Sequence, residues 1–554
     1  MPPTPLRCGV STKRPRSRAP AATASRVSGR CWNGWPSASD PHPTLHALSG
    51  SAPMARNVLL IMVDQWRWDL SPGLGNPLVA TPALDRLAAR GAVFTRHFAQ
   101  SAPCGPARAS FASGQYVFNH RVFANPVPMA AGRRLLQHHL RTAGITPYMI
   151  GYTTAVPDPR GRDPQDPVFR GPSVAEGWQI LREMDEDKAR YTAWARGQGA
   201  DLDPDYDAGF ARHLRAGAPV ETSPQPDGLH DSRWLADAAV AFLDTAPERP
   251  WLLHLGFYRP HPPLAALARH LARVPDAPPL PPIDAAAEDA IHPLAALFRR
   301  VVPASIAHPG LDGPASALPA ATVAALRKAY LALLAEVDDE VGRVLAALER
   351  SGRGQDTLVV FMSDHGEQWG EHGLFGKRAI HQASFRVPLI IADPRPGADP
   401  TRGGQIHAIT EHVDLLPTLL DWFGIAAPPQ CDGRSLLGLI AGDRPSDWRD
   451  AAVYEHDFRD KLPGPVPGLA RSPHEAQFTA IQDERWAYLH FPDADPVLFD
   501  LEADPGQTRN LAADPAFTPV VHRMMRRLLD HRIRHADRTL SEARAAPGGM
   551  IGRW

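Results

Sequence analysis

Cysteine is scarce: the 554 residues contain four, Cys8, Cys31, Cys104 and Cys431, and no two of them stand in a CxxC spacing. That excludes a disulfide framework and a thiolate-held zinc module, and it fits a reducing, cytoplasmic setting. Long apolar runs are missing too. Stretches such as Val58 to Val63 and Leu358 to Met362 fall far short of the roughly 20 residues that a membrane-spanning helix needs, so no membrane partner is expected. Nor does charge of one sign dominate, because 59 Lys and Arg against 60 Asp and Glu leave a formal net charge of -1. No global field then favours nucleic acid or an anionic membrane surface, and any anion must be held by a local site.

With 44% hydrophobic and 21% charged residues the chain has the composition of a folded protein, and its length allows one large domain and something smaller. Residues 1–53 are rich in Arg, Ser, Pro and Ala, carry Asp40 as their only acid, and show no periodic apolar pattern. They read as a disordered extension, with Met54 a plausible true start. Continuous apolar runs then alternate with helical spacing. Val58 to Val63 ends in Asp64, Trp251 to Leu255 ends near Gly256, Thr357 to Met362 ends in Ser363-Asp364-His365-Gly366, and Val387 to Ile391 is a fourth. Thr322 to Arg350 repeats its apolar residues at helical intervals. Buried strands alternating with helices predict an α/β fold, a large mixed, mainly parallel sheet sandwiched by helices over residues 54–425. Shorter strands (Arg485 to Phe491, Val497 to Leu501) and a basic helix from Thr518 predict a smaller α+β domain over 426–554. The 59 prolines, as in Ala277 to Pro282, point to long ordered loops on which a site can be built.

In open α/β sheets the site lies beyond the carboxyl ends of the strands, where Asp64-Gln65 and Asp364-His365 both fall. Oxygen donors with one nitrogen suit Mn²⁺, Ca²⁺ or Mg²⁺. A lone Asp after a strand is as readily a helix cap, but two such endings weigh against that reading. Between them runs Ser101-Ala102-Pro103-Cys104-Gly105-Pro106-Ala107-Arg108, in which Pro106 suits the first turn of a helix. Cys104 would then stand at a helix N-terminus, where backbone N–H groups favour an anion and would lower a thiol's pKa. A buried structural cysteine is the competing reading, and local context alone leaves the two open.

Cys104-Gly105-Pro106-Ala107-Arg108 matches the Cys-x-Pro-x-Arg motif of sulfatases. Together with Asn57 to Arg67, Gly151 to Thr154, Tyr258 to Pro263, Ser363 to Gln368 and Leu498 to Leu511, it makes the chain from about Asn57 onward resemble the phosphonate monoester hydrolase and arylsulfatase branch of the alkaline phosphatase superfamily. The resemblance implies that Cys104 is oxidised by a formylglycine-generating enzyme to formylglycine. It also implies that Asp64, Gln65, Asp364, His365 and the modified Cys104 hold a divalent metal, Mn²⁺ foremost. Arg108 would steady the formylglycine, His261 or Lys377 would protonate the departing alcohol, and Asn125, Tyr152 and Thr154 would surround the transferred group. Gln65 departs from the Asp that ordinary sulfatases carry there. The other histidines, His254, His372, His381 and His456 among them, read as structural, with His372 and His381 near enough to Lys377 to follow.

What this implies is a hydrolase of phosphonate monoesters and phosphodiesters with sulfate ester side activity. A dedicated arylsulfatase is the alternative, and a ligand-binding pseudoenzyme that never converts Cys104 a more distant one. The resemblance further implies a homo-oligomer, a tetramer, with the tail around His535 to Leu540 reaching a neighbour.

Overall fold

A computed structural model describes residues 56–552 except 170, 172, 173, 463, 465, 467 and 538–542. The 1–53 extension and part of the expected tail, residues 538–540, lie outside the described residues. The central sheet has nine strands: β1 Asn57–Asp64, β2 Ala92–Phe98, β3 Thr146–Gly151, β4 Gln179–Glu183, β5 Trp251–Pro260, β6 Thr357–Ser363, β7 Arg386–Ala392, β8 Gly404–Ile406 and β9 Thr410–Glu411. Their order is β4-β3-β5-β1-β6-β7-β2-β8, with β9 also on β2. Every neighbouring pair is parallel except the two made by β7, which runs against both β6 and β2. This is the mixed, mainly parallel sheet expected.

β1 shows why the sheet is covered on both sides. All eight of its residues are buried, and alternate side chains enter different cores: Leu59, Ile61 and Val63 one, Val58, Leu60 and Met62 the other. The first core is closed by the helices Asp231–Asp244 and Ala320–Arg350, the second by Cys104–Ser113, Leu136–Thr142 and Leu415–Trp422. We name the helix Cys104–Ser113 α1 and Ala320–Arg350 α2. β5 runs four residues past the expected end near Gly256, because Arg259 remains in the core by pairing with the buried Asp231 at 3.1 Å. Between Val63 and Asp64 the register to β5 slips, so that Asp64 lies opposite Pro260.

After the central sheet come four antiparallel strands, β10 Ala452–Asp457, β11 Gln477–Gln482, β12 Trp486–His490 and β13 Val497–Asp500, packed on the helix Thr518–Arg534, which we name α3. This sheet reaches the segment that enters α1. Glu455 N–H donates to the Gln100 carbonyl at 2.8 Å, and the His456 Nδ1 to the Ala102 carbonyl at 2.7 Å. Among the described residues no helix is long and apolar enough to cross a membrane.

Leu60, fully buried on the central strand, is the reference for core packing. Leu60→Ala should lower the unfolding free energy by about 2–5 kcal/mol in urea titrations. Glu248→Ala, at an exposed position in the loop before β5, should change it by less than about 0.5 kcal/mol.

Candidate active site

The carboxyl ends of three adjacent strands deliver the site. β1 ends on Asp64, β6 beside it leads into Asp364 and His365, and β5 on the other flank leads into His261. β3 leads into Tyr152 and Thr154, and the first turn of α1 brings in Cys104 and Arg108. Single ligand atoms of Asp64, Cys104, Asp364 and His365 all lie within 4.8 Å of one another, and all four residues are buried.

Two carboxylates so close together in a buried site cannot both stay charged without a cation. Burial pushes the Asp364 carboxyl up to about 7, and the negative charge of Asp64 adds to the rise. Burial also pushes Asp64 up, but the positive charge around it, from Lys377 and Arg108, outweighs burial and holds this carboxyl well below its ordinary value. Arg108 spans the pair, 2.9 Å from Asp364 Oδ2 and 3.2 Å from Asp64 Oδ2. Its guanidinium lies 4.1 Å over the Tyr152 ring, whose hydroxyl donates to Asp64 Oδ2 at 2.6 Å. Asp364 Oδ1 accepts from the backbone N–H groups of Gln65 and His365. Asp64 Oδ1 is buried with no hydrogen-bond partner.

The imidazoles are set as lone-pair donors. His365 Nδ1 lies 3.0 Å from the Gly366 carbonyl, to which it can only donate, so Nε2 is the unprotonated nitrogen, 3.2 Å from Cys104 Sγ and 3.5 Å from Asp64 Oδ1. Burial, then the Lys377 charge, lowers this imidazole to about 3. His261 repeats the pattern: Nδ1 donates to the Pro262 carbonyl at 2.9 Å, and burial, then Lys377, holds the ring well below its ordinary value. An orphaned carboxylate oxygen, a like-charged pair and an imidazole lone pair together fit a divalent cation.

Gln65 sits beside this group in a left-handed conformation (φ 77°), its carbonyl accepting from the Tyr330 hydroxyl of α2 at 2.7 Å. Its amide oxygen accepts from Lys377 Nζ at 2.7 Å, while its amide nitrogen donates to Glu367. The structure therefore gathers four of the five expected ligands and turns the fifth toward Lys377 and Glu367. Lys377 Nζ is also 3.7 Å from Cys104 Sγ. Asn125 Oδ1 accepts from the Gly105 N–H at 2.6 Å, and a Cβ on Gly105 would meet that oxygen at 2.5 Å. A larger residue at 105 would have to displace the Asn125 side chain.

The expected lowering of the Cys104 thiol is overturned. Burial, then the charge of Asp64, pushes it well above its ordinary value despite Lys377, so the unmodified side chain is a neutral thiol and a poor nucleophile. Arg108, expected to steady the modified Cys104, bonds to the two carboxylates. His372 and His381 stack on each other with ring centres 3.5 Å apart, His372 pairing with Glu288.

Cys104, Asp64, Asn125, Tyr152, Thr154, His261 and Lys377 line one cavity of about 220 Å³. Its lining adds residues to which sequence reasoning gave no role: Glu186, Lys188, Tyr258, Arg378, Asp457 and Asp460. Asp457 and Asp460 follow from β10 folding back over the sheet, a long-range contact with no local signal. Glu367, two residues past His365 in a quoted motif, was within reach of a sequence reading.

The sulfatase family profile matches residues 56–425, and that of the N-sulphoglucosamine sulphohydrolase C-terminal region matches residues 370–534. The chain belongs to the sulfatase family. It is 38% identical over 512 residues to the multifunctional alkaline phosphatase superfamily protein PehA of Trinickia caryophylli, covering 90% of this chain and 99% of that one. The crystal structure of the phosphonate monoester hydrolase of Agrobacterium radiobacter superposes with a TM-score of 0.81 at 34% identity, covering 90% of this chain and all of that one. The choline-sulfatase of Rhizobium meliloti is 30% identical over 511 residues, 90% of each chain. This sulfatase-family chain is thus a hydrolase of the alkaline phosphatase superfamily, and the family implies both a metal and formylglycine.

The electrostatics of the paired carboxylates give a pH test. In the metal-free folded chain Asp364 keeps its proton to about pH 7, whereas the unfolded chain releases it near its ordinary value of 3.8. The folded state therefore binds more protons between these values, and its stability falls as pH rises from about 4 to 7. Thermal melts of chelator-treated protein should show Tm dropping over that range, and the drop should be clearly shallower in Asp364→Asn.

Proposed function

We propose that the protein hydrolyses phosphonate monoesters and phosphodiesters, with sulfate monoesters as side substrates, through a formylglycine made from Cys104. The observation that carries the reading is the meeting of Cys104 with Asp64, Asp364 and His365 beside Lys377 and the uncharged Gln65. Asp64, Asp364, His365 and the modified Cys104 would hold a divalent cation, with Gln65 at its edge. The oxygen-rich donor set favours Mn²⁺, with Ca²⁺ or Mg²⁺ also accommodated. When bound, the cation supplies the positive charge that lets both carboxylates ionise and lowers the pKa of an oxygen nucleophile.

The chain's own groups do the rest. Asn125, its side-chain oxygen held by the Gly105 N–H, would offer its amide nitrogen, and Lys377, 3.7 Å from Cys104 Sγ, its ammonium, so that charge on the non-bridging oxygens of the transferred group is met by fixed donors. His261, its Nδ1 locked to the Pro262 carbonyl, offers Nε2 as the proton acceptor of the site, and Lys377 carries the proton for the departing alcohol oxygen. Arg108 and Tyr152 orient Asp64, and Thr154 closes the wall of the cavity. Phosphonate monoesters, phosphodiesters and sulfate monoesters all arrive as monoanions, and Gln65, in place of an acid, lowers the negative charge that each of them meets beside Lys377.

The second reading, a dedicated sulfatase, draws on the choline-sulfatase likeness. Rates with nitrophenyl phenylphosphonate and nitrophenyl sulfate separate the two. The first reading expects the phosphonate to be cleaved with the higher kcat/KM, and a strong preference for the sulfate would overturn it. Around this chemistry we infer maturation by a formylglycine-generating enzyme, a cytoplasmic setting in keeping with the few cysteines, and a homotetramer. The apolar side chains Leu529 and Ile533, 60% and 65% exposed on α3, favour self-association.

Mass spectrometry of the Cys104 peptide from protein made with the maturing enzyme should show the aldehyde, and a wholly unmodified thiol in an active preparation would refute the nucleophile. Lys377→Ala should reduce kcat by about a hundredfold to a thousandfold.

A further inference from the structure

A second and larger cavity, about 660 Å³, lies behind the catalytic one. Helix α1 separates the two: Gly105 and Arg108 wall it, and Thr154 lines both cavities. Its volume is within the range of small-molecule sites, roughly 300–1,000 Å³. Its floor is apolar, built from Met62 of β1, Phe111 of α1 and Trp178.

One residue of that floor is out of keeping with the rest. His254 stands on the face of β5 that also carries Leu252, where the sheet meets the second core, and it is 2% exposed. Its ring lies 5.6 Å from that of Trp178 and 6.4 Å from that of Phe111. Neither of its nitrogens has a hydrogen-bond partner. A buried imidazole left this way costs free energy relative to an apolar side chain of similar size, so the position is poorly explained by packing. Two more polar atoms of the lining are in the same state: Gln137 Oε1, whose amide nitrogen is held by the Glu176 carbonyl, and Arg133 Nε. The mouth is basic. Arg134, Arg141, Arg160 and Arg162 are exposed there with Asp158 and Glu176 as the acids, and Arg160 and Arg162 each pair with one of those acids.

An apolar floor that stacks rings, an unpartnered donor and acceptor set into it, and a rim with more cationic than anionic side chains are complementary to one kind of molecule. We propose that this cavity binds an aromatic acid of one or two rings, with the ring on Phe111 and Trp178, a ring hydroxyl at His254, and the carboxylate among the arginines of the mouth. The floor supplies ring contact, one nitrogen of His254 pairs with the hydroxyl as donor or acceptor, and the arginines supply charge. Because Gly105 and Arg108 form the shared wall, the bound acid would lie against the residues that set Cys104 and the carboxylate pair. The site does not depend on the chemistry proposed above, since neither formylglycine nor a metal takes part in it.

Isothermal titration of the full chain with hydroxynaphthoate tests the proposal. Binding to one site per chain is expected, weakened about tenfold or more with naphthoate, which lacks the hydroxyl, and with naphthol, which lacks the carboxylate. His254→Leu should weaken hydroxynaphthoate at least tenfold while its Tm stays level or rises, because the variant replaces an unpartnered buried ring by an apolar side chain. Ala112→Phe, which fills the floor beside Phe111, should block binding independently. Lys377→Ala, altered only in the catalytic cavity, should bind as the parent does. No binding by the parent, parent-like binding by both His254→Leu and Ala112→Phe, or a loss confined to Lys377→Ala would each overturn the assignment.

Discussion

The contact on which this structure depends is the pairing of two buried carboxylates, Asp64 and Asp364, beneath one guanidinium. Arg108 reaches Oδ2 of both, and Lys377 stands within range of the same charge. Arg108 and Lys377 together only partly offset the cost of burying two ionised acids, and the electrostatics divide accordingly, Asp64 charged and Asp364 pushed up to about 7. Much of the site follows from that deficit. The imidazoles are neutral because burial and Lys377 keep them so, and the thiol is protonated because the neighbouring negative charge adds to its burial. A centre in which burial keeps one of two facing carboxylates protonated, and in which an oxygen of the other has no partner, is arranged to receive a cation.

The sheet makes this arrangement rigid. β1 and β6 are parallel neighbours in register, so residues just beyond them emerge side by side with no freedom to separate. The slip between Val63 and Asp64 against β5 brings Asp64 level with Pro260 and hence close to His261. α2 fixes the backbone of Gln65 through Tyr330, and β10 fixes the entry to α1 through Glu455 and His456. The catalytic cavity is thus held from both cores and from the second sheet, and substitutions far along the chain would reach it through backbone position, without touching a ligand.

Much of this was legible in the sequence, and the limit of legibility is physical. Continuous apolar runs that stop at Asp64 and Asp364 announce buried parallel strands and a site at their carboxyl ends, because only strands covered on both faces lack polar alternation. The start of α1 at Cys104 was equally plain from Pro106. The end of β5 was not, since Arg259 remains in the core only through Asp231, a partner 28 residues away. The reversed direction of β7 leaves no mark in a run that reads Val387 to Ile391. The state of the Cys104 thiol was not legible for a related reason. A helix N-terminus can be seen in sequence, but the desolvation and the two carboxylates that override it belong to the assembled site.

Gln65 brings the local and the global together. An uncharged side chain here accepts from Lys377 with one end and donates to Glu367 with the other, so it links a cation that lines the cavity to a fully buried acid. An aspartate in its place would lack the donor that satisfies Glu367, whose carboxyl burial already pushes up, and would leave two acids facing each other. Its shorter side chain would also pull Lys377 toward the backbone and away from Cys104. The exchange of Asp for Gln is therefore more than the loss of one charge from a ligand set. It permits Glu367 and Lys377 to occupy the same corner, and it fixes how much positive charge a bound ester meets there.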